Sequence, residues 1–313
     1  MSVLVIGGAG FIGSVLIKRL LSEDKSVIVV DKLSLGSVDH IDTGKLTFHD
    51  VDINEVDAVI KLLKRGNLKI DEVWHLAANS DIPAGIVDMN VDLYDTFMST
   101  VSTLKIMKEL HCKKLHFSSS SAVYGFNENR LHEDIGPLMP ISNYGAMKLS
   151  SEALISASLE SFLDKVCIYR FPNVVGVPAT HGVILDFINK LQKDMSTLEV
   201  LGNGTQQKTY LHVSELVDAM LFIDDNTSSG LNYFNIGAID DGVTVRQIAE
   251  ETTKVVSPDA KVNYQMADRG WVGDVPRFYY SVDKLTSLGW SPVMSSLEAV
   301  QKAVKEISLQ EGV

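Results

Sequence analysis

The sequence predicts an α/β fold: a doubly wound parallel sheet, followed by a smaller α+β part in the C-terminal half. Three observations carry this expectation. Short apolar runs alternate with helical patterns through the first half of the chain. The first of those runs leads straight into a glycine-rich turn and then a helix. An acid closes the second run, at the spacing such a turn calls for.

In order, Val3–Ile6 reads as a buried strand and Ser14–Leu21 as a helix, joined by Gly7, Gly10 and Gly13. Gly7 permits the tight turn, Gly10 lets the backbone approach a pyrophosphate, and Gly13 lets helix pack close on strand. The helix N-terminus then faces the anion. Ser26–Val30 is the second strand and Asp31 ends it, 18 residues beyond Gly13. An acid there holds both hydroxyls of an adenosine ribose and repels a 2′-phosphate, which favours NAD over NADP. The neighbouring Lys32 softens that choice. Leu46–Phe48 is a third strand. Asp52 after it either faces adenine's amino group or caps the helix Val56–Lys64. Glu72–Ala78 is a fourth strand whose small terminal residues leave room for a ligand, and His75 within it reads as a core histidine. Asp81–Asp92, with Pro83 and Gly85, reads as a long loop. Asp92–Leu110 reads as one helix with a stripe of Leu93, Phe97, Val101, Leu104 and Met107. Lys114–Phe117 is the fifth strand and ends in Ser118–Ser121.

Tyr144 opens the next helix, with Lys148 four residues on, so the two side chains are neighbours on one face. A free phenol has a pKa of about 10. A neighbouring ammonium, and the positive ring of an oxidised nicotinamide, both favour the phenolate, so Tyr144 is expected to act as a base near neutrality. A serine from the end of strand five can share the substrate's oxygen.

The bulk numbers set limits. With 313 residues, 45% of them apolar, the chain can bury a large core. A net charge of −12 argues against binding nucleic acid through its phosphates. Cys112 and Cys167 have no metal-type spacing and read as packed thiols, and no metal is expected. The N-terminus lacks a basic region and cleavage site. Its apolar run ends at Lys18, short of the roughly 20 residues of a membrane span. A cytoplasmic protein without a membrane partner is expected.

Beyond these readings, the chain resembles the extended short-chain dehydrogenase/reductases, in their nucleotide-sugar epimerase/dehydratase branch. The likeness rests on Gly7–Gly13, Asp31–Ser34 with Gly36, His75–Ala78, Ser118–Gly125, Tyr144–Lys148 and Arg170–Gly176. It continues in Gly202–Gly204, Tyr210–Val213, Phe234–Gly237 and Leu288–Trp290. Thr180–Ile184 and Asp268–Pro276 are most similar to the UDP-glucose 4-epimerases of that branch. The resemblance implies a Rossmann-like NAD-binding domain over residues 1–172. Residues 173–313 would mainly bind the nucleotide sugar, with some segments returning to the first domain. NAD would be held by Gly7, Gly10, Phe11, Ile12, Gly13, Asp31, Lys32, Asp52, Ile53, Leu76, Ala77, Ala78, Ser118, Tyr144, Lys148 and Pro172. Ser120, Tyr144 and Lys148 would be catalytic. Ser120, Asn173, His181, Val183, Lys208, Arg269 and Asp274 would meet a nucleotide-diphosphate sugar, a UDP-hexose by preference.

The chain departs from the family in places. Lys208 stands where an arginine is usual and lacks its two-pronged fork. Arg269 is displaced relative to Asp274, which leaves Trp271 as an alternative flanking the nucleobase or the loop. Met98–Thr100 replaces a pattern containing asparagine. Ser121 and Ala122 stand where the 4,6-dehydratases carry Asp and Glu, which disfavours dehydration. The implied activity is 4-epimerisation through a transient 4-keto sugar. The alternatives are another C4 redox or epimerase reaction on a GDP- or dTDP-sugar, or a dinucleotide sensor without chemistry. A homodimer is implied, its helices lined by Met98, Met107, Leu154 and Leu159, unless those residues pack within the chain.

Overall fold

The computed structural model describes residues 1–66, 69–127, 129–267 and 277–313. The elements begin with β1 (Ser2–Ile6), α1 (Phe11–Ser22), β2 (Ser26–Asp31), β3 (Thr47–Asp50), α2 (Val56–Arg65) and β4 (Glu72–His75). There follow α3 (Ile82–Val87), α4 (Met89–Asp92), a π-helical turn (Leu93–Met98), α5 (Ser99–Glu109), β5 (Lys114–Ser118), α6 (Asn143–Leu159) and β6 (Lys165–Arg170). Next come β7 (Asn173–Val175), α7 (Val183–Lys193), β8 (Thr197–Val200), β9 (Gln207–Lys208), β10 (Tyr210–His212), α8 (Val213–Asn226) and β11 (Gly230–Asn235). The chain closes with β12 (Val243–Thr244), α9 (Val245–Val256), β13 (Lys261–Tyr264), α10 (Asp283–Leu288) and α11 (Ser296–Gln310).

Two compact units result. Met1–Gly125, Leu138–Arg170 and Met220–Phe234 form the first; Phe126–Pro137, Phe171–Ala219 and Asn235–Val313 form the second. The first is built on a seven-stranded sheet in the order β3-β2-β1-β4-β5-β6-β11, and every pair from β3 to β6 is parallel. The central β1 and β2 carry unbroken buried apolar runs, Val3–Ile6 and Val27–Val30, as a parallel sheet covered on both faces requires. Leu4, Ile6, Val30, Val73, Leu115, Phe117, Val166 and Ile168 meet Val59, Leu63, Leu104, Met107 and Ile155 in one core. Met107 belongs to that core, and Leu154 and Leu159 pack against it, so these three pack within the chain.

Strand order reverses between β1 and β4, and ligands bind beyond the carboxyl ends of strands at such a point. Register puts Ile6 beside both Val30 and His75, His75 beside Phe117, and Ser118 beside Tyr169. The residues just after these, Gly7, Asp31, Leu76 and Ser119, therefore line one edge.

Two expectations are corrected. The segment from Asp81 to Asp92 is helical rather than a loop: the Asp81 carboxylate accepts from Ala84 N and starts α3, and Asp88 accepts from Asn90 N and starts α4. Pro83 sits in the first turn of α3, where its missing N–H costs nothing. The single helix expected from Asp92 is interrupted by the π-turn. There the Ser99 hydroxyl donates to the carbonyls of Asp95 and Thr96, both at 2.9 Å, competing with the backbone ladder.

Among the described residues the second unit holds three two-stranded sheets: β10 with β7 and β13 with β8, both parallel, and β12 with β9, antiparallel. Its core joins Ile184, Phe187, Ile188 and Leu191 of α7 to Leu198, Val200, Ile248, Val300 and Val304. Capping boxes at Thr244/Gln247 and Ser295/Glu298 start α9 and α11. Among the described residues no helix is long and apolar enough to cross a membrane.

Candidate active site

The glycine turn closes as its spacing predicts. Gly7 has φ +80°, and a Cβ there would lie 2.6 Å from Ala77 N, where β4 ends. A Cβ on Gly13 would lie 2.3 Å from Gly7 O, so only glycine lets α1 start this close to β1. At Gly10 the nearest atom would be 3.4 Å away. Gly10 precedes α1, and no side chain caps its first turn, which begins with Phe11, Ile12 and Gly13. Free N–H groups above an open glycine suit a pyrophosphate.

Asp31 anchors this cradle from the next strand. Its Oδ2 accepts from Ala9 N at 2.9 Å and its Oδ1 from Leu33 N at 2.8 Å. Lys32 does not offer a free charge beside it. Its ammonium binds Asp95 at 2.6 Å and Asp52 at 3.2 Å. Burial works against that charge, but the two carboxylates prevail and raise its pKa. Asp52 also accepts from Asn54 N, whereas α2 is preceded directly by Glu55. Ile53 lies in the core with 6% exposure, which leaves its main chain as what it offers a ligand. Leu76 N and Ala77 N both donate to Ile6 O, and Ala78 follows, partly buried.

Beyond β5, Ser118 Oγ donates to His75 O at 3.3 Å, and Ser118 O accepts from Lys148 Nζ at 2.5 Å. Ser120 Oγ accepts from Ala122 N at 3.1 Å and is among the groups that act on the Tyr144 phenol. Ser142 caps α6 through Gly145 N, so Tyr144 lies in the first helical turn. Lys148 is one turn further, 1% exposed, with Nζ 5.8 Å from the Tyr144 ring centre. Ser120, Tyr144 and Lys148 are thus brought together in the first unit.

Within the protein itself, burial dominates the tuning of this pair. Burial pushes the Tyr144 phenol up to about 12, against the effect of Ser120, and the charge of Asp92 adds to the rise. Burial also brings Lys148 down to about 7, with Glu152 acting in the opposite sense. Desolvation outweighs the mutual effect that their spacing suggests. His75 is a core histidine as expected: it is fully buried, with Nε2 3.1 Å from Thr100 Oγ1, and burial lowers it to about 3.

Sequence reasoning missed the support behind the serines. The Ser119 hydroxyl donates to Glu152, which also takes a two-pronged bond from Arg170, with Nη2 to Oε2 at 2.6 Å. Arg170 reaches the Tyr124 hydroxyl as well. Glu152 continues the row Tyr144, Lys148, Glu152 in steps of four. That row was the available signal, because it marks one face of α6.

In the middle of β5 and β6, where His116 and Cys167 are paired, ligand atoms of His116, Cys167 and Asp224 lie within 4.8 Å of one another. Lys114 and Lys165 already pair with Asp224 at 2.6 and 3.0 Å, so this is an ion cluster with its cations built in. Cys112 is buried apart from it, and burial raises its thiol to about 11.

In the second unit, Pro172 precedes β7 and Asn173 opens it beside Tyr210. His181 is exposed, with Nδ1 3.0 Å from Thr180 Oγ1. Val183 starts α7 without a side-chain cap. Lys208 ends β9 beside Val243. Arg269, Trp271 and Asp274 lie outside the described residues.

Residues 3–237 match the model of the NAD dependent epimerase/dehydratase family. A UDP-glucose 4-epimerase from Lactobacillus helveticus is 30% identical, over 96% of this chain and 94% of that protein. A crystal structure of a UDP-galactose 4-epimerase superposes with a TM-score of 0.87 at 31% identity, covering 99% of each chain. A Thermus thermophilus UDP-glucose 4-epimerase in complex with NAD superposes with a TM-score of 0.85 at 26% identity, covering 98% of each chain.

Proposed function

Because the chain belongs to the NAD dependent epimerase/dehydratase family, we propose that it is an NAD-dependent 4-epimerase of UDP-hexoses. The observation that carries this reading is the convergence of Ser120, Tyr144 and the buried Lys148, with Lys148 Nζ 5.8 Å from the Tyr144 ring centre, at the sheet edge that also holds the glycine cradle. The first unit takes NAD: the open N-terminal turn of α1 at the pyrophosphate, and Asp31 at the adenosine ribose. With Lys32 held by Asp52 and Asp95, little positive charge is left to welcome a 2′-phosphate.

When bound, NAD supplies the hydride acceptor for C4 of the sugar and a positive ring that favours a phenolate. Tyr144 takes the proton of the C4 hydroxyl and returns it to the other epimer. Ser120 shares that oxygen and holds it in line. Lys148 titrates near neutrality, so its charge can support the phenolate when Tyr144 ionises. Ser121 and Ala122, next in the chain, offer neither a strong acid nor a strong base, so the 4-keto sugar is reduced rather than dehydrated.

For the nucleotide diphosphate we retain Asn173, His181, Val183, Lys208, Arg269 and Asp274, on the strength of the family resemblance. The setting proposed is cytoplasmic, as a homodimer, in nucleotide-sugar supply for polysaccharide synthesis. The test is to incubate the purified protein with UDP-, GDP- and dTDP-hexoses and separate the products. Interconversion of UDP-glucose and UDP-galactose supports the reading; no C4 epimer from any UDP-hexose overturns it.

A further inference from the structure

Asp92 ends α4 and is fully buried, at 0% exposure. Its Oδ1 accepts from Asn79 Nδ2 at 2.8 Å. Its Oδ2 is shut off from solvent and has no hydrogen-bond partner. A carboxylate oxygen buried without a donor is destabilising, so a carboxyl kept in such a place needs a reason.

The packing around it leads to the catalytic helix. Gly85 of α3 lies so close that a Cβ on it would be 1.8 Å from Asp92 Oδ2, and only glycine allows α3 to cover the carboxyl. The carbonyl of Gly85 accepts from Asn143 Nδ2 at 2.8 Å. Asn143 is the first residue of α6 and the neighbour of Tyr144. α3, α4 and the π-turn all pack on α6. A continuous path therefore runs from Asn79 through Asp92 and Gly85 to Asn143.

We propose that Asp92 is a positioning residue for Tyr144: through Gly85 and Asn143 it seats α3 on the first turn of α6, and so sets the place and the surroundings of the phenol. This rests on Tyr144 being the proton-transfer group. The groups around Asp92 fit the role. Asn79 faces it from the exit of β4, Asp81 from the start of α3 and Asp95 from the π-turn. Tyr144 faces it from α6. Burial raises its proton affinity, the Asn79 bond lowers it, and Asp95 and Asp81 raise it again. The nearby cation, Lys32, is taken up by Asp95 and Asp52. Among the described residues no ion pair includes Asp92, and Lys148 faces the phenol from one turn along α6, with Nζ 5.8 Å from its ring centre.

The experiment is a spectroscopic titration of tyrosinate in the NAD-bound protein, run for wild type and Asp92→Asn. Each is corrected by the same protein carrying Tyr144→Phe, which isolates Tyr144 from the other tyrosines. Asparagine keeps an acceptor for Asn79 and removes the charge; Asp92→Ser serves if the amide does not fold. The Tyr144 titration is expected to move down when the carboxylate is removed. The acidic limb of kcat/KM should move with it. Asn143→Ala, which frees Gly85 without altering any charge, should lower kcat and leave the titration in place. An unmoved Tyr144 titration in the charge-free variants overturns the proposal. A moved titration combined with turnover indifferent to Tyr144→Phe overturns the assignment of the base instead.

Discussion

Replacing Lys148 by methionine should stabilise the nucleotide-free protein, and by an amount that depends on pH. Lys148 is 1% exposed, and its ammonium has one hydrogen bond, to Ser118 O at 2.5 Å. Burial takes it from the usual 10.5 to about 7. At about 1.4 kcal/mol per pH unit, this is a penalty of roughly 5 kcal/mol for folding with the charge in place. The sign follows from the depressed value. Below about pH 7 the lysine is protonated in both states, and folding carries the whole penalty. Between 7 and 10.5 the folded state has released the proton and the unfolded chain has not, so stability rises with pH. Above 10.5 the gain is complete. Methionine keeps the apolar stem and does not titrate, at the cost of about 1 kcal/mol for the lost hydrogen bond. Urea unfolding of both proteins across this range should show the variant's advantage greatest below pH 7. The advantage should shrink by about 1.4 kcal/mol per unit above it. A difference between the two proteins that does not change with pH would refute the reasoning.

Three other outcomes follow from the same geometry. Gly13→Ala sets a methyl 2.3 Å from Gly7 O and 2.7 Å from Gly8 Cα, backbone that cannot swing aside; thermal unfolding should show a loss of about 1–3 kcal/mol and calorimetry a weaker hold on NAD. Glu152→Ala leaves Arg170, 6% exposed, without its carboxylate and Ser119 without its acceptor. It should cost about 3–5 kcal/mol in denaturant unfolding, and the pair Glu152→Met with Arg170→Met should recover much of that. Asp31→Ala frees the N–H groups of Ala9 and Leu33; NAD binding should weaken about tenfold or more, the worth of one charged hydrogen bond, with NADP affected less.

What was legible in the sequence was what local rules govern. The glycines after β1, Asp31 at the end of β2 and the four-residue step from Tyr144 to Lys148 each follow from one element or one turn. The alternation of strands and helices led to the sheet because parallel strands with covered faces leave continuous apolar runs. The charge state of Tyr144 and Lys148 was not legible, because it depends on how deeply α6 is buried by elements distant in the chain. The Glu152–Arg170 pair joins α6 to β6 and has no local spacing rule. Asp92 looked like the start of a helix; its burial becomes visible only when α3 folds over it. The π-turn arises from hydroxyls competing for carbonyls, a contest that apolar periodicity does not report. The pairing of Lys32 with Asp95 likewise joins residues 63 positions apart.

The most direct measurement compares Tyr144→Phe with wild type for kcat on UDP-galactose, with bound NAD quantified in the same samples. Loss of the hydroxyl removes the group that moves the proton and leaves the ring and the cradle intact. A fall in kcat of about 10²–10⁴, with NAD occupancy unchanged, is the outcome expected. Turnover at the wild-type rate would contradict the account.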